Sequence, residues 1–132
     1  MKKDTKKILV VDDDANLLQA ISLRLRMWGY EVVPACNGVE AVLLAESTRP
    51  DLIISDIWMP SGSGFSLAFR LKEALAGVPV IFLSASKQQD LKNIASELEA
   101  VAFLEKPYEP DMLLETIKRV LEPSAAPVPS GN

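Results

Sequence analysis

The sequence predicts an α/β fold, a single doubly wound sheet of five parallel strands, and two observations carry that prediction. Short apolar runs, several of them β-branched, occur at residues 8–11, 30–33, 52–54, 80–83 and 101–104; runs this brief and this apolar are strands buried on both faces. Between and after them lie stretches whose apolar residues recur at helical spacing. Strands joined by short helical connections pair in parallel through right-handed crossovers, so the helices must cover both faces of one sheet.

The first helix is marked by Leu18, Ile21, Leu25 and Trp28 on one stripe, with Asn16, Gln19, Arg24 and Arg26 largely off it. A second covers residues 38–47, a third 65–75, a fourth 88–97 and a fifth 110–121. The fourth has only Leu91, Ile94, Ala95 and Leu98 as anchors among polar neighbours, which predicts loose packing. In the fifth, Pro110 suits a first turn and Leu113, Ile117 and Val120 share a face. Residues 122–132 carry three prolines and no apolar period, so they read as a flexible tail or the start of a linker. The expected organisation is a basic lead-in over 1–6, one domain over 7–121 and that tail.

Bulk properties agree with one domain and exclude several functions. At 132 residues and 48% hydrophobic, the chain has enough apolar material for one core. A net charge of −4 provides no positive field to hold DNA or RNA directly. The four lysines at positions 2, 3, 6 and 7 read as a solvated lead-in to the first strand. A single cysteine, Cys36, forms no internal disulfide and reads as a small apolar side chain near a strand end. The opening apolar run ends after four residues in three aspartates, which fits neither a signal peptide nor a membrane span, and a cytoplasmic setting follows.

In an open parallel sheet, ligands bind beyond the carboxyl ends of the strands, so the residues just past each strand are the informative ones. Here they are Asp12, Asp13 and Asp14 after the first strand, Ser55 and Asp56 after the third, Ser84 after the fourth, and Glu105 and Lys106 after the fifth. Taken one at a time these have ordinary explanations. Asp14 fits a helix cap, a serine after a strand fits a turn, and a lone lysine is usually solvated. Together they form a constellation. Carboxylates crowded together repel unless a cation sits among them, so Asp12, Asp13 and Asp56 describe a cation site, and all-oxygen ligation points to Mg²⁺. Such an ion neutralises an incoming phosphoryl group while Lys106 and the Ser84 hydroxyl hold its other oxygens, leaving the Asp56 carboxylate as nucleophile.

These residues resemble the receiver domain of two-component response regulators, from about Lys7 to Leu121. Ile8-Leu9-Val10-Val11-Asp12-Asp13-Asp14 is similar to the family's first strand and acidic pair. Asp51-Leu52-Ile53-Ile54-Ser55-Asp56-Ile57-Trp58-Met59-Pro60 is similar to its phosphoacceptor strand and Met-Pro turn. Gly64, Ser84-Ala85 and Phe103-Leu104-Glu105-Lys106-Pro107 fall where the family has its loop glycine, its hydroxyl and small residue, and its last strand with lysine and proline.

The resemblance implies a flavodoxin-like (βα)5 sheet in the order 2-1-3-4-5. It implies that Asp56 accepts a phosphoryl group from a sensor histidine kinase or a histidine phosphotransfer protein, and that the domain later hydrolyses the acyl phosphate itself without being an enzyme toward other substrates. The chain has no histidine and therefore cannot donate the group. The backbone carbonyl of Trp58 would join Asp12, Asp13 and Asp56 on the metal. Ser84 and Phe103 would form the switch that reshapes the surface of the fourth helix, fifth strand and fifth helix for a downstream protein target or a separate output domain, with homodimerisation through that surface possible. Trp58 and Ser86 depart from the commoner side chains at their positions and flank the path of the hydrolysing water. Two alternatives remain at this point. One is a receiver-like interaction module that is never phosphorylated; the other is a phosphatase of the haloacid dehalogenase type, whose acidic pair Asp12-x-Asp14 would also fit.

Overall fold

The computed structural model describes residues 5–56, 77–84, 102–105 and 109–121. Its strands are β1 (Lys7–Val11), β2 (Glu31–Ala35), β3 (Leu52–Asp56), β4 (Val80–Ser84) and β5 (Ala102–Glu105), and its helices are α1 (Ala15–Met27), α2 (Gly38–Thr48) and a C-terminal helix (Pro110–Leu121). The strands form one five-stranded sheet in the order β2-β1-β3-β4-β5, every neighbouring pair parallel. This is the doubly wound fold the sequence predicts. The third and fourth helices of that prediction lie outside the described residues.

Each strand is short because its apolar run is short, and period-two alternation sends its residues to both faces. Ile8, Val10, Leu52, Ile54, Ile81, Leu83 and Leu104 form one cluster with Leu18 and Leu25 of α1 and with Leu113 and Ile117 of the C-terminal helix. The intervening Leu9, Val11, Ile53 and Phe82 are equally buried and by alternation belong to the opposite face. Burial of one such side chain stabilises the fold by about 1.5–3 kcal/mol, so the central strands hold the rim rigidly.

The elements start and stop for local reasons. Asp14 caps α1, and the helix ends in a Schellman motif: Gly29 N–H donates to Arg26 O at 3.0 Å and Tyr30 N–H to Leu25 O at 3.1 Å. Gly29 has a φ of +99°, a conformation that costs a side-chain-bearing residue energy. β2 runs two residues past the expected run and includes Pro34. A proline is tolerated there because β2 is an edge strand and its missing N–H leaves no ladder bond unmade. Lys7, expected in the solvated lead-in, instead opens β1, and its ammonium donates to Thr48 O at 2.8 Å. Among the described residues no helix is long and apolar enough to cross a membrane.

Candidate functional site

The sheet order puts β1 between β2 and β3. The chain leaves β1 for one face and returns to β3 from the other, which opens a crevice at the carboxyl rim where the order reverses. Val11 pairs with Ser55. Asp12 and Asp56 therefore come next at the same level on neighbouring strands, whose axes lie about 4.8 Å apart in a sheet. Asp56 pairs with Leu83, which sets Ser84 one residue further out on β4, and Ser84 pairs with Glu105 at the end of β5. Lys106, the next residue, lies outside the described residues, as does Trp58; for Asp56, Ser84 and Phe103 the backbone is described and the side chain is not.

The three consecutive aspartates have different surroundings. Asp12 is 1% exposed, its N–H donates to Ala35 O at 3.1 Å, and its Oδ1 accepts from the backbone N–H of Asp14 at 2.9 Å. Asp13 is exposed at the rim. Asp14 has extended backbone angles, φ −87° and ψ 107°, and its Oδ1 accepts from Asn16 N at 3.0 Å and Leu17 N at 3.2 Å. It is the α1 cap expected from the sequence. That use of its carboxylate argues against the Asp12-x-Asp14 acid pair of a dehalogenase-type phosphatase.

A carboxylate withdrawn from water is costly unless hydrogen bonds or a cation compensate it. A buried Asp12, a solvent-facing Asp13 and the neighbouring Asp56 position supply hard oxygen donors and no soft or imidazole ligand, so their chemistry fits Mg²⁺. Among the described side chains, a set that lacks that of Asp56, no three ligating groups come together.

Two features of the rim were not expected. Cys36, one residue past β2, is exposed and not packed as a small apolar side chain. The Glu40 carboxylate beside it, by hydrogen bonding and by charge, pushes its thiol above the ordinary value. The second feature is the lock at the start of α2: Asn37 Oδ1 accepts from Glu40 N–H, and Glu40 Oε1 accepts from Cys36 N–H, both at 2.8 Å. An Asn with Glu three residues later, ahead of an apolar run, is the sequence signal for such reciprocal capping.

Comparison with known proteins leads to the same place. Residues 8–118 match the family model of the response regulator receiver domain. The phosphate regulon transcriptional regulatory protein PhoB of Pseudomonas aeruginosa is 38% identical over 118 residues, which cover 88% of this chain and 52% of that protein. The chain thus spans about half the length of the curated relatives it matches. Among solved structures, the chemotaxis protein CheY4 of Vibrio cholerae superposes with a TM-score of 0.84 at 34% identity, covering 89% of this chain and all of that one. A response regulator from Burkholderia pseudomallei, solved with a phosphorylated aspartic acid and a calcium ion, superposes with a TM-score of 0.80 at 26% identity, covering 91% of this chain and 71% of that one. Sheet order, rim chemistry and the match along nearly the whole folded length agree: the chain belongs to the response regulator receiver domain family, the phosphorylation-dependent switches of two-component signalling.

Proposed function

We propose that Asp56 is the phosphoacceptor, that Asp12, Asp13, Asp56 and the Trp58 carbonyl hold Mg²⁺ beside it, and that the donor is a phosphohistidine on a sensor histidine kinase or a histidine phosphotransfer protein. The observation that carries this is the register of β1 against β3, which sets Asp12 and Asp56 level on adjacent strands at the crevice. An Asp56 oxygen bonds to phosphorus as the phosphorus–nitrogen bond breaks, and the departing imidazole takes a proton from water. Lys106 and the Ser84 hydroxyl hold the phosphoryl oxygens. Mg²⁺, when bound, supplies charge neutralisation for that group. The calcium ion and phosphorylated aspartate in the Burkholderia relative support the assignment by likeness.

The acyl phosphate is later hydrolysed within the domain, with Trp58 and Ser86 flanking the path of the water. While it lasts, Ser84 moves toward the phosphoryl oxygens and the Phe103 ring turns into the space it leaves. The altered surface of the fourth helix, fifth strand and C-terminal helix then engages a downstream protein or output domain, or a second copy. Reversing a 1:99 equilibrium takes about 5.5 kcal/mol, within reach of several charge-assisted hydrogen bonds. At net charge −4 this portion works in the cytoplasm through protein contacts and not by gripping nucleic acid.

The test is Mg²⁺-dependent modification by acetyl phosphate, read by intact mass, and by beryllofluoride, read by fluorescence. Trp28 is half-buried against the core, so a Trp28→Phe background leaves Trp58 as the only tryptophan reporter. One added phosphoryl group that needs Mg²⁺ and is lost in Asp56→Asn supports the assignment. An unmodified native chain with silent Trp58 would instead favour the unphosphorylated interaction module.

A further inference from the structure

We infer that Glu40 and Asn37, whose hydrogen bonds among the described residues hold the corner between β2 and α2, are positioning residues for Asp12. The inference rests on reading Asp12 as a metal-holding carboxylate. Asp12 comes directly after the last residue of β1, and its N–H donates to Ala35 O, the final carbonyl of β2. Ala35 therefore carries the ladder one step past the paired residues Val11 and Ala35 and fixes the backbone from which the Asp12 carboxylate springs.

Ala35 belongs to an edge strand, and an edge strand has a neighbour on one side only. Pro34 precedes it and has no N–H to donate. The end of β2 thus depends on the corner that joins it to α2. Cys36 N–H is held by Glu40 Oε1 at 2.8 Å, Glu40 N–H by Asn37 Oδ1 at 2.8 Å, and Ala41 N–H by Asn37 O at 3.0 Å. These three bonds join residues 36–41 into one rigid corner, anchored by the buried Ala41 and Ala45 of α2. The path runs from the α2 corner through Cys36 and Ala35 to the Asp12 amide by covalent links and hydrogen bonds alone. Partners that hydrogen-bond a ligand directly orient it and tune affinity; here the restraint reaches Asp12 through its backbone amide.

Loosening the corner should therefore weaken metal binding without removing a ligand. The measurement is Mn²⁺ binding monitored by electron paramagnetic resonance of the free ion, which requires neither phosphoryl transfer nor a fluorescent reporter. Glu40→Ala and Asn37→Ala are expected to bind Mn²⁺ measurably more weakly than the native chain. Glu40→Gln keeps an acceptor for Cys36 N–H and restores native affinity. Leu43→Gly, in the middle of α2 and exposed, weakens that helix and leaves affinity unchanged, which separates positioning from loss of stability.

Native affinity in folded Glu40→Ala overturns the inference. Equal weakening in Glu40→Gln also overturns it, since charge rather than the hydrogen bond would then be responsible, and so does equal weakening in Leu43→Gly. If the native chain and Asp12→Ala bind Mn²⁺ identically, the reading of Asp12 itself fails, a result distinct from failure of the corner.

Discussion

Replacing Asp14 by alanine separates two roles that three consecutive aspartates confuse. The Asp14 carboxylate accepts the N–H groups of Asn16 and Leu17, two of the donors that the first turn of α1 leaves without helical partners. Loss of such a cap costs about 1 kcal/mol, and loss of a negative charge at the helix N-terminus adds about 0.5 kcal/mol at this exposed position. In a domain of about a hundred residues each kcal/mol is worth about 4 °C, so the Tm should fall by about 6 °C. Asp14→Asn keeps the acceptor and should lose only the charge contribution, about 0.5 kcal/mol. Metal binding should survive both changes, because Asp12 Oδ1 accepts from the backbone N–H of Asp14, which no side-chain substitution removes. Asp13→Ala should do the reverse, losing Mn²⁺ binding while stability stays within about 0.5 kcal/mol. Urea unfolding of the metal-free chains and Mn²⁺ titration read the two quantities independently. An Asp14→Ala chain that keeps its stability and loses its metal would refute this division of labour.

Two buried hydroxyls of opposite status make a second pair of predictions. Ser22 is 3% exposed and its Oγ has no hydrogen-bond partner among the described residues, whereas Thr116, 5% exposed, donates to Met112 O at 2.7 Å. Ser22→Ala should raise stability by about 1 kcal/mol through relief of desolvation, and Thr116→Ala should lower it by about 1–2 kcal/mol through loss of a hydrogen bond and a buried methyl; two urea curves with one slope check both. For Cys36, the Glu40 carboxylate raises the folded-state pKa of the thiol. The folded state then keeps its proton to higher pH than the unfolded chain, so this group's contribution to stability is present below the unfolded pKa and is lost as pH rises through the folded one. With less thiolate at mildly alkaline pH, iodoacetamide should modify native Cys36 more slowly than unfolded Cys36, and Glu40→Gln should speed the native reaction; equal rates in all three would contradict the cause assigned.

The central strands were legible because burial on both faces writes itself as an uninterrupted apolar run: 8–11, 80–83 and their neighbours leave almost no other reading. Edges were less legible. β2 extends through Pro34 to Ala35, and the rule that excludes proline from a strand interior relaxes on an edge, a fact about strand order that no local pattern carries. The placement of Asp12, Asp56, Ser84 and Glu105 at one rim was legible, since parallel strands place their carboxyl ends together, and Asp14 was legible as a cap. The corner of Cys36, Asn37 and Glu40 was not read, although Asn-x-x-Glu before an apolar run announces it. The distinction between Asp12 and Asp13 was not readable at all, because adjacent residues of one type differ only once the strand sets one inward and the other outward.

That distinction indicates how the fold and its chemistry constrain each other. Strand interiors buried on both faces leave no space for a reacting group, so chemistry is confined to the carboxyl ends of the strands, at last residues such as Asp56 and Ser84 or the first residue beyond such as Asp12, where the ladder still fixes the backbone. Asp12 stands at that boundary, bonded to β2 through its amide yet carrying a charge that burial disfavours. Crowding further carboxylates beside it opposes folding, and the opposition is relieved when a cation binds the folded form and not the unfolded chain. On the proposed reading, a cation and a phosphoryl group bound at that rim would meet Asp12 on a backbone that β2 already holds, and less of their binding energy would be spent on assembling the site.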